Sequence, residues 1–225
     1  MMKKNGFTLA EVLITLAIIG VVATLTLPSL MSNTQEQQAV TAFRKAMNTL
    51  NEVAQMNAAV DGFDYGSIAV ATQPSANDVY DNTGRLDQSV WGMMYTKAQV
   101  DPTRSGAAGA ASNISPGGAC QNMQFVIGFR DGTTVCYANT ITINNANAVI
   151  NAVVDTNGIK APNAVSSCSD VGCANKANKQ IRDQFEITLY NSMAIPGRVQ
   201  VSANGGFTDA GTANNNNAAR WAMSK

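Results

Sequence analysis

The amino-acid sequence predicts an α+β protein: a long N-terminal α-helix, its first half transmembrane, packed on a C-terminal antiparallel β-sheet domain with long loops. Three observations carry this expectation. Residues 7–27 form an apolar run almost free of charge, an amphipathic helical period follows it, and the rest of the chain is rich in Asn, Ala, Gly and Thr with short, β-prone apolar stretches. The chain divides into a basic leader (1–6), a transmembrane and assembly helix (7–30), an amphipathic continuation of that helix (31–61) and a globular β-rich domain (62–225).

In the apolar run Glu11 is the only charge, and none follows until Glu36. A run of this length crosses a bilayer, since about 20 residues rising about 1.5 Å each span a hydrocarbon core of about 30 Å. Lys3 and Lys4 are expected to stay cytoplasmic, which puts everything after the helix on the other side of the membrane. There the four cysteines meet conditions in which disulfides form.

The order of features excludes an ordinary secretory signal, whose small-residue cleavage site follows its apolar core. Here the small residue, Gly6, precedes the core. Val21-Val22-Ala23 offers only a loose late site, the apolar run continues past it through Leu25 and Leu27, and Glu11 would interrupt the core. A lipoprotein signal fails because no cysteine follows the leader. The competing reading is a plain signal anchor with an accidental Gly6 and a snorkelling Glu11, and it predicts no processing.

The stretch Lys3-Lys4-Asn5-Gly6-Phe7-Thr8-Leu9-Ala10-Glu11-Val12-Leu13-Ile14 resembles the prepilin signal of the type IV pilin and type II secretion pseudopilin family. The likeness covers about the first 30 residues. It implies cleavage between Gly6 and Phe7 by a prepilin peptidase, a membrane aspartyl enzyme that also methylates the new amine on Phe7. It also implies residence in the inner membrane as a single pass, then assembly with identical or related subunits into a periplasmic or extracellular filament. Pro28 fits, because pilins of this family often carry a proline near that place. Glu11 fits on physical grounds as well: a carboxylate in a membrane helix costs a few kcal/mol and usually has a partner. Cleavage creates one, the Phe7 amine of a neighbouring subunit.

Pro28 cannot donate to the carbonyl one turn earlier, so a bend is expected near Thr24. The helix then resumes, with Val40, Phe43, Met47, Leu50 and Ala54 at steps of three and four, flanked by Ala39, Ala46 and Val53. Thr41, Arg44, Lys45, Asn48, Asn51, Glu52 and Gln55 fill the opposite face, and Asp61-Gly62 ends the helix. From Thr8 to Ala59 it would be roughly 78 Å long, more than its own domain can cover.

In the globular part, segments 124–129 and 133–138 flank Arg130-Asp131-Gly132 and read as a hairpin. Segments 149–154 and 185–189 are further strand candidates, while 103–118 and 203–219 read as loops. Trp221 beside Arg220 is either tucked against the domain or a surface anchor, the first being the commoner fate of a tryptophan. Four cysteines allow three pairings. Cys120 with Cys136 and Cys168 with Cys173 is the arrangement the chain makes easiest, and the other two stay open. A four-cysteine zinc site is the weaker reading, because Cys120 and Cys136 are too far apart for half of one. Asp155-Thr156-Asn157-Gly158, with Asp183, gathers oxygen atoms and raises the question of calcium, as in loops of some pseudopilins. The match to an EF-hand loop fails on its glycine and on its last glutamate.

The function classes narrow accordingly. With no histidine, Ser-His-Asp and Cys-His catalysis are excluded, and no phosphate-binding or dinucleotide glycine motif is present. Lys plus Arg equals Asp plus Glu at 15 each, so no nucleic-acid partner is expected. A filament subunit is the leading expectation, without a cofactor unless calcium binds. A minor pilin-like binding module at a filament tip, contacting a surface, DNA or a substrate, is the alternative. A membrane-anchored enzyme comes last.

Overall fold

The computed structural model describes residues 6–62, 64–66, 90–107, 116–123, 125–137, 142–144, 147–201, 207–209 and 213–225. Lys3, Lys4 and Asn5 of the leader lie outside these residues, as do the middle of the 103–118 segment and parts of 203–219. The chain forms two compact units, Met1–Gln38 and Ala39–Lys225. Helix α1 (Leu9–Val60) supplies most of the first unit and opens the second.

Within the second unit the amphipathic period of α1 is realised as packing. Phe43, Met47, Leu50 and Ala54 are fully buried, and Val40, Ala46 and Val53 nearly so, while Thr41, Asn48, Glu52 and Gln55 face solvent. These apolar side chains join one core with the inward residues of an antiparallel sheet. Its strands run in the order β1 (Gly106–Ala107), β2 (Phe125–Gly128), β3 (Thr134–Tyr137), β5 (Asn147–Asp155), β8 (Gln184–Tyr190) and β9 (Met193–Pro196), with β4 (Thr142–Asn144) also on β5, while β6 (Ser167–Cys168) and β7 (Lys179–Gln180) pair with each other apart from it. Alternation along each strand selects the face: Ile150, Ala152 and Val154 of β5 and Phe185, Ile187 and Leu189 of β8 enter this core. Phe43 stacks on Phe185 with ring centroids 4.3 Å apart. Tyr65 is fully buried and donates its hydroxyl to the Leu50 carbonyl at 3.1 Å, while burial pushes its pKa well up.

The β2–β3 pair is the expected hairpin, in register Phe125↔Tyr137 to Gly128↔Thr134. At its turn Asp131 accepts from the Thr133 backbone (3.0 Å) and pairs with Lys45 of α1 (2.9 Å). On the other face of the sheet, Val126, Cys136 and Val153 form a second small core with Cys120 and Met123.

Two loop expectations are corrected. The 103–118 segment is not all loop: a 3-10 turn (Pro102–Arg104) and the edge strand β1 occupy its start. The 203–219 segment contains strand β11 (Phe207–Asp209), paired with β10 (Val199–Val201), and most of helix α3 (Ala213–Ser224). Asn-rich sequence has poor helix propensity, but tertiary contacts override it. Buried Asn216 accepts from the Arg198 backbone N–H at 2.6 Å and donates to its carbonyl at 3.2 Å, and Ala218, Ala219 and Ala222 are small enough to pack closely. Arg44 Nε donates to the Ala222 carbonyl at 2.8 Å near the end of the same helix. Helix α2 (Val90–Lys97), which is absent from the sequence expectations, adds Val90, Met93 and Met94 to the main core.

Candidate assembly segment and processing site

The candidate site is built by residues 6–30. Gly6, Phe7 and Thr8 are outside the helix, and α1 starts at Leu9. A Cβ added to Gly6 would meet nothing within 4 Å, so the fold of this subunit does not itself demand glycine there. Phe7 is 90% exposed.

Thr8 and Glu11 form a reciprocal cap. The Glu11 carboxylate accepts from the Thr8 backbone N–H at 2.8 Å and from its hydroxyl at 2.9 Å, and the Glu11 N–H donates back to Thr8 Oγ1 at 3.3 Å. This is the Ser/Thr-x-x-Glu capping box, which satisfies donors that the first helical turn leaves open. Thr8 is the site residue that sequence reading passed over, although Thr8-Leu9-Ala10-Glu11 spells the motif.

The hydroxyls further along are satisfied in the same local way. Thr15 donates to the Val12 carbonyl (3.0 Å), Thr24 to Val21 (2.9 Å) and Thr26 to Val22 (3.0 Å). Every polar side chain between residues 8 and 26 therefore has a partner within four residues of itself. The apolar side chains of this stretch have none: Leu9, Leu13, Ile14, Leu16, Ile19, Val22 and Leu25 are all exposed. Among the described residues, α1 is the helix long and apolar enough to cross a membrane. The helix continues through Pro28. A surface of this kind, apolar outside and internally hydrogen-bonded, suits lipid or other apolar helices and is costly in water.

Residues 1–27 match the family model described as the prokaryotic N-terminal methylation motif. The chain is 31% identical over 123 residues to the type II secretion system core protein G of Vibrio cholerae serotype O1, covering 48% of this chain and 84% of that protein. It is also 31% identical over 102 residues to the core protein G of Aeromonas hydrophila, covering 41% of this chain and 71% of the relative. The chain belongs to the core protein G family of pseudopilins. No solved structure matches. Membership makes the chain a structural subunit of a filament, and the apolar helix fits membrane anchoring.

The globular unit places the remaining candidate residues. Cys120 is bonded to Cys136, joining the 3-10 turn Gly118–Asn122 to β3. Cys168 is bonded to Cys173, closing a short loop beside α3, and no free cysteine remains, so zinc has no thiolate to bind. Trp221 is half-buried against the core, with the Lys179 ammonium 4.3 Å from its ring centroid.

Asp155, Asn157 and Asp183 are brought together at one end of the sheet, but their oxygens do not fit calcium. Asp155 Oδ1 accepts from Asn157 N (3.1 Å) and Oδ2 from Gln184 Nε2 (2.9 Å). Asp183 Oδ2 accepts from Asn163 N (2.7 Å) and Oδ1 from Ala164 N (2.9 Å). Asn157 Oδ1 is left without a partner, one oxygen where calcium takes roughly six to eight. Among the described residues no three His, Cys, Asp or Glu side chains cluster as metal ligands. Burial pushes the Asp155 carboxyl up to about 6 and the Asp183 charge adds to this, against the lowering by Gln184 and backbone N–H groups.

Proposed function

We propose that the chain is made with residues 1–6 as a leader and cut between Gly6 and Phe7 by a prepilin peptidase. The Phe7 amine is then methylated, and the mature subunit assembles through the first part of α1 into a type II secretion pseudopilus. Before assembly it is a single-pass inner-membrane protein with its globular unit outside the cytoplasm. It has no catalytic role.

The observation that carries this reading is the position of the helix start relative to the methylation motif. Gly6-Phe7 lies in non-helical backbone just before Leu9, where a peptidase can bind an extended strand, and the glycine answers no need of the subunit's own fold. The requirement for it therefore belongs to an external reader. Once cut, the Phe7 amine is a cation, and Glu11 is the sole acidic side chain in the apolar stretch that could pair with it. In the isolated subunit the Thr8–Glu11 cap satisfies Glu11, and in the filament the Phe7 amine of a neighbour takes up its charge. Leaving the bilayer then exchanges lipid for neighbouring helices at little net hydrophobic cost, since both are apolar. Pro28 leaves the Thr24 carbonyl without a helical donor and gives the helix a place to loosen as it packs.

The test is the intact mass of the protein recovered from inner membranes and from sheared filaments. The expected mass lacks residues 1–6 and carries one added methyl group; a mature protein that retains residues 1–6 overturns the reading.

A further inference from the structure

The turn Asp155-Thr156-Asn157-Gly158 and the nearby Asp183 set two buried carboxylates side by side where β5 ends and β8 begins. We propose that this loop folds without a metal, and that the carboxamide of Gln184, standing where a cation would otherwise bridge the segments, is the residue that decides this.

Gln184 is fully buried, and its amide joins three parts of the chain. Nε2 donates to Asp155 Oδ2 (2.9 Å) and to the Gly117 carbonyl (2.7 Å), while Oε1 accepts from Ala119 N (2.9 Å). Its backbone closes a fourth segment: its N–H donates to the Ala164 carbonyl (3.1 Å), and its carbonyl accepts from Ser166 N (2.7 Å). A bridging cation gathers oxygens around one point. Here the amide does the gathering, with two N–H groups toward oxygens and one oxygen toward an N–H, which no other uncharged side chain except asparagine can do.

The four carboxylate oxygens are committed elsewhere as well. Both oxygens of Asp183 face the N–H groups of Asn163 and Ala164, and Asp155 Oδ1 faces that of Asn157. Charge-assisted hydrogen bonds of this kind are the strong ones and oppose the cost of burying the charge, although at Asp155 burial still wins and raises the carboxyl pKa. The close fit is set by backbone: at Gly118, with φ of 64°, a Cβ would overlap the Asn163 carbonyl and come within 2.6 Å of Gln184 Oε1. The segment carrying Gly117 and Ala119 can reach the amide because residue 118 has no side chain.

The experiment uses the full-length chain in detergent micelles, with thermal unfolding followed by circular dichroism in EDTA and in millimolar calcium, and calcium binding measured by titration calorimetry. Wild type is expected to melt at the same temperature in both and to give no binding heat. A calcium-dependent rise of several degrees, or one calcium bound per wild-type chain, overturns the proposal. Gln184→Glu puts a third carboxylate beside Asp155 and Asp183 in place of the donor. It is expected to melt lower in EDTA, to recover most of the loss in calcium and to bind one ion. A Gln184→Glu chain that calcium leaves unchanged, or that stays unfolded in calcium, overturns the assignment of Gln184 to the cation's place.

Discussion

The two units of this chain handle the same chemical groups in opposite ways. Along the first part of α1 the apolar side chains are exposed, and each polar side chain is bonded within three or four residues of itself. In the globular unit the apolar side chains of the core are enclosed, and buried polar side chains such as Gln184 and Asn216 find partners far along the sequence, at Gly117 and Arg198. The difference shows what each is built to survive. A helix with only local hydrogen bonds can exchange lipid for protein around it and lose none of them. A domain whose bonds span the sequence loses many at once if any segment is withdrawn, so it keeps one structure while its surroundings change.

The comparison breaks most sharply at Glu11. On the proposed pairing, Glu11→Leu removes the one charge of the apolar stretch and leaves the neighbour's amine without its carboxylate. Incorporation into filaments, measured by shearing and immunoblot, is expected to fall at least about tenfold. The unfolding temperature of the globular unit should not move. If Glu11→Leu subunits assemble as well as wild type, the carboxylate does not set assembly.

The next effect is confined to the second unit. In the chain-entropy model the Cys120–Cys136 link, 16 residues apart, contributes about 3 kcal/mol, and the Cys168–Cys173 link, 5 apart, about 2. Cys120→Ala with Cys136→Ala is therefore expected to lower the denaturant midpoint more than Cys168→Ala with Cys173→Ala. The first pair also lies in the second core with Val126 and Val153, which adds to its loss. Processing at Gly6, read by intact mass, should be untouched by either.

These contrasts mirror what was legible in the sequence. Local rules find local structure: the step of three and four from Val40 to Ala54 marked the buried face of α1, and Asp131-Gly132 between β-prone runs marked the β2–β3 turn. The joint placement of Gly6, Phe7 and Glu11 marked the region that the methylation motif covers. What stayed hidden depends on distant partners. The start of helix α3 reads as loop because four consecutive asparagines, Asn214 to Asn217, carry no helical signal, and the distant Arg198 backbone gives Asn216 a reason to be buried. Gln184 stands just before the 185–189 strand candidate, on the polar phase it shares with Glu186 and Thr188, and would pass as an outward-facing residue, yet its side chain makes three hydrogen bonds to distant segments. Thr8 is the exception, a local signal, since Thr8-Leu9-Ala10-Glu11 spells the capping box in the sequence itself.

Asp155 supplies a smaller test of the second unit. Its folded pKa of about 6 lies above its ordinary value of 3.8, so the folded chain holds a proton that the unfolded chain releases first. Below about pH 4 the carboxyl is neutral in both states. As pH rises from about 4 to 6, stability is expected to fall by about 2 kcal/mol and then level off. Asp131 acts with the opposite sign: although burial opposes it, Thr133 and Lys45 hold its carboxyl below the ordinary value, and its contribution is lost only as pH falls below 4 or so. Asp155→Asn should flatten the slope between pH 4 and 6 in denaturant titrations while leaving the acid limb. A slope that persists in Asp155→Asn assigns the titration to another group.

Thr8 gives the smallest effect and asks how far the first unit's local bonding matters. Thr8→Val keeps the size of the side chain and removes the hydroxyl that both receives the Glu11 N–H and donates to its carboxylate. Loss of an N-cap costs about 1 kcal/mol, so the first turn frays and Glu11 is held less firmly for the pairing proposed above. Incorporation is expected to fall several-fold, less than for Glu11→Leu, with Thr8→Ser close to wild type because the serine hydroxyl can make the same two bonds. Equal losses in Thr8→Val and Thr8→Ser would mean that the methyl group, and not the cap, is what residue 8 contributes.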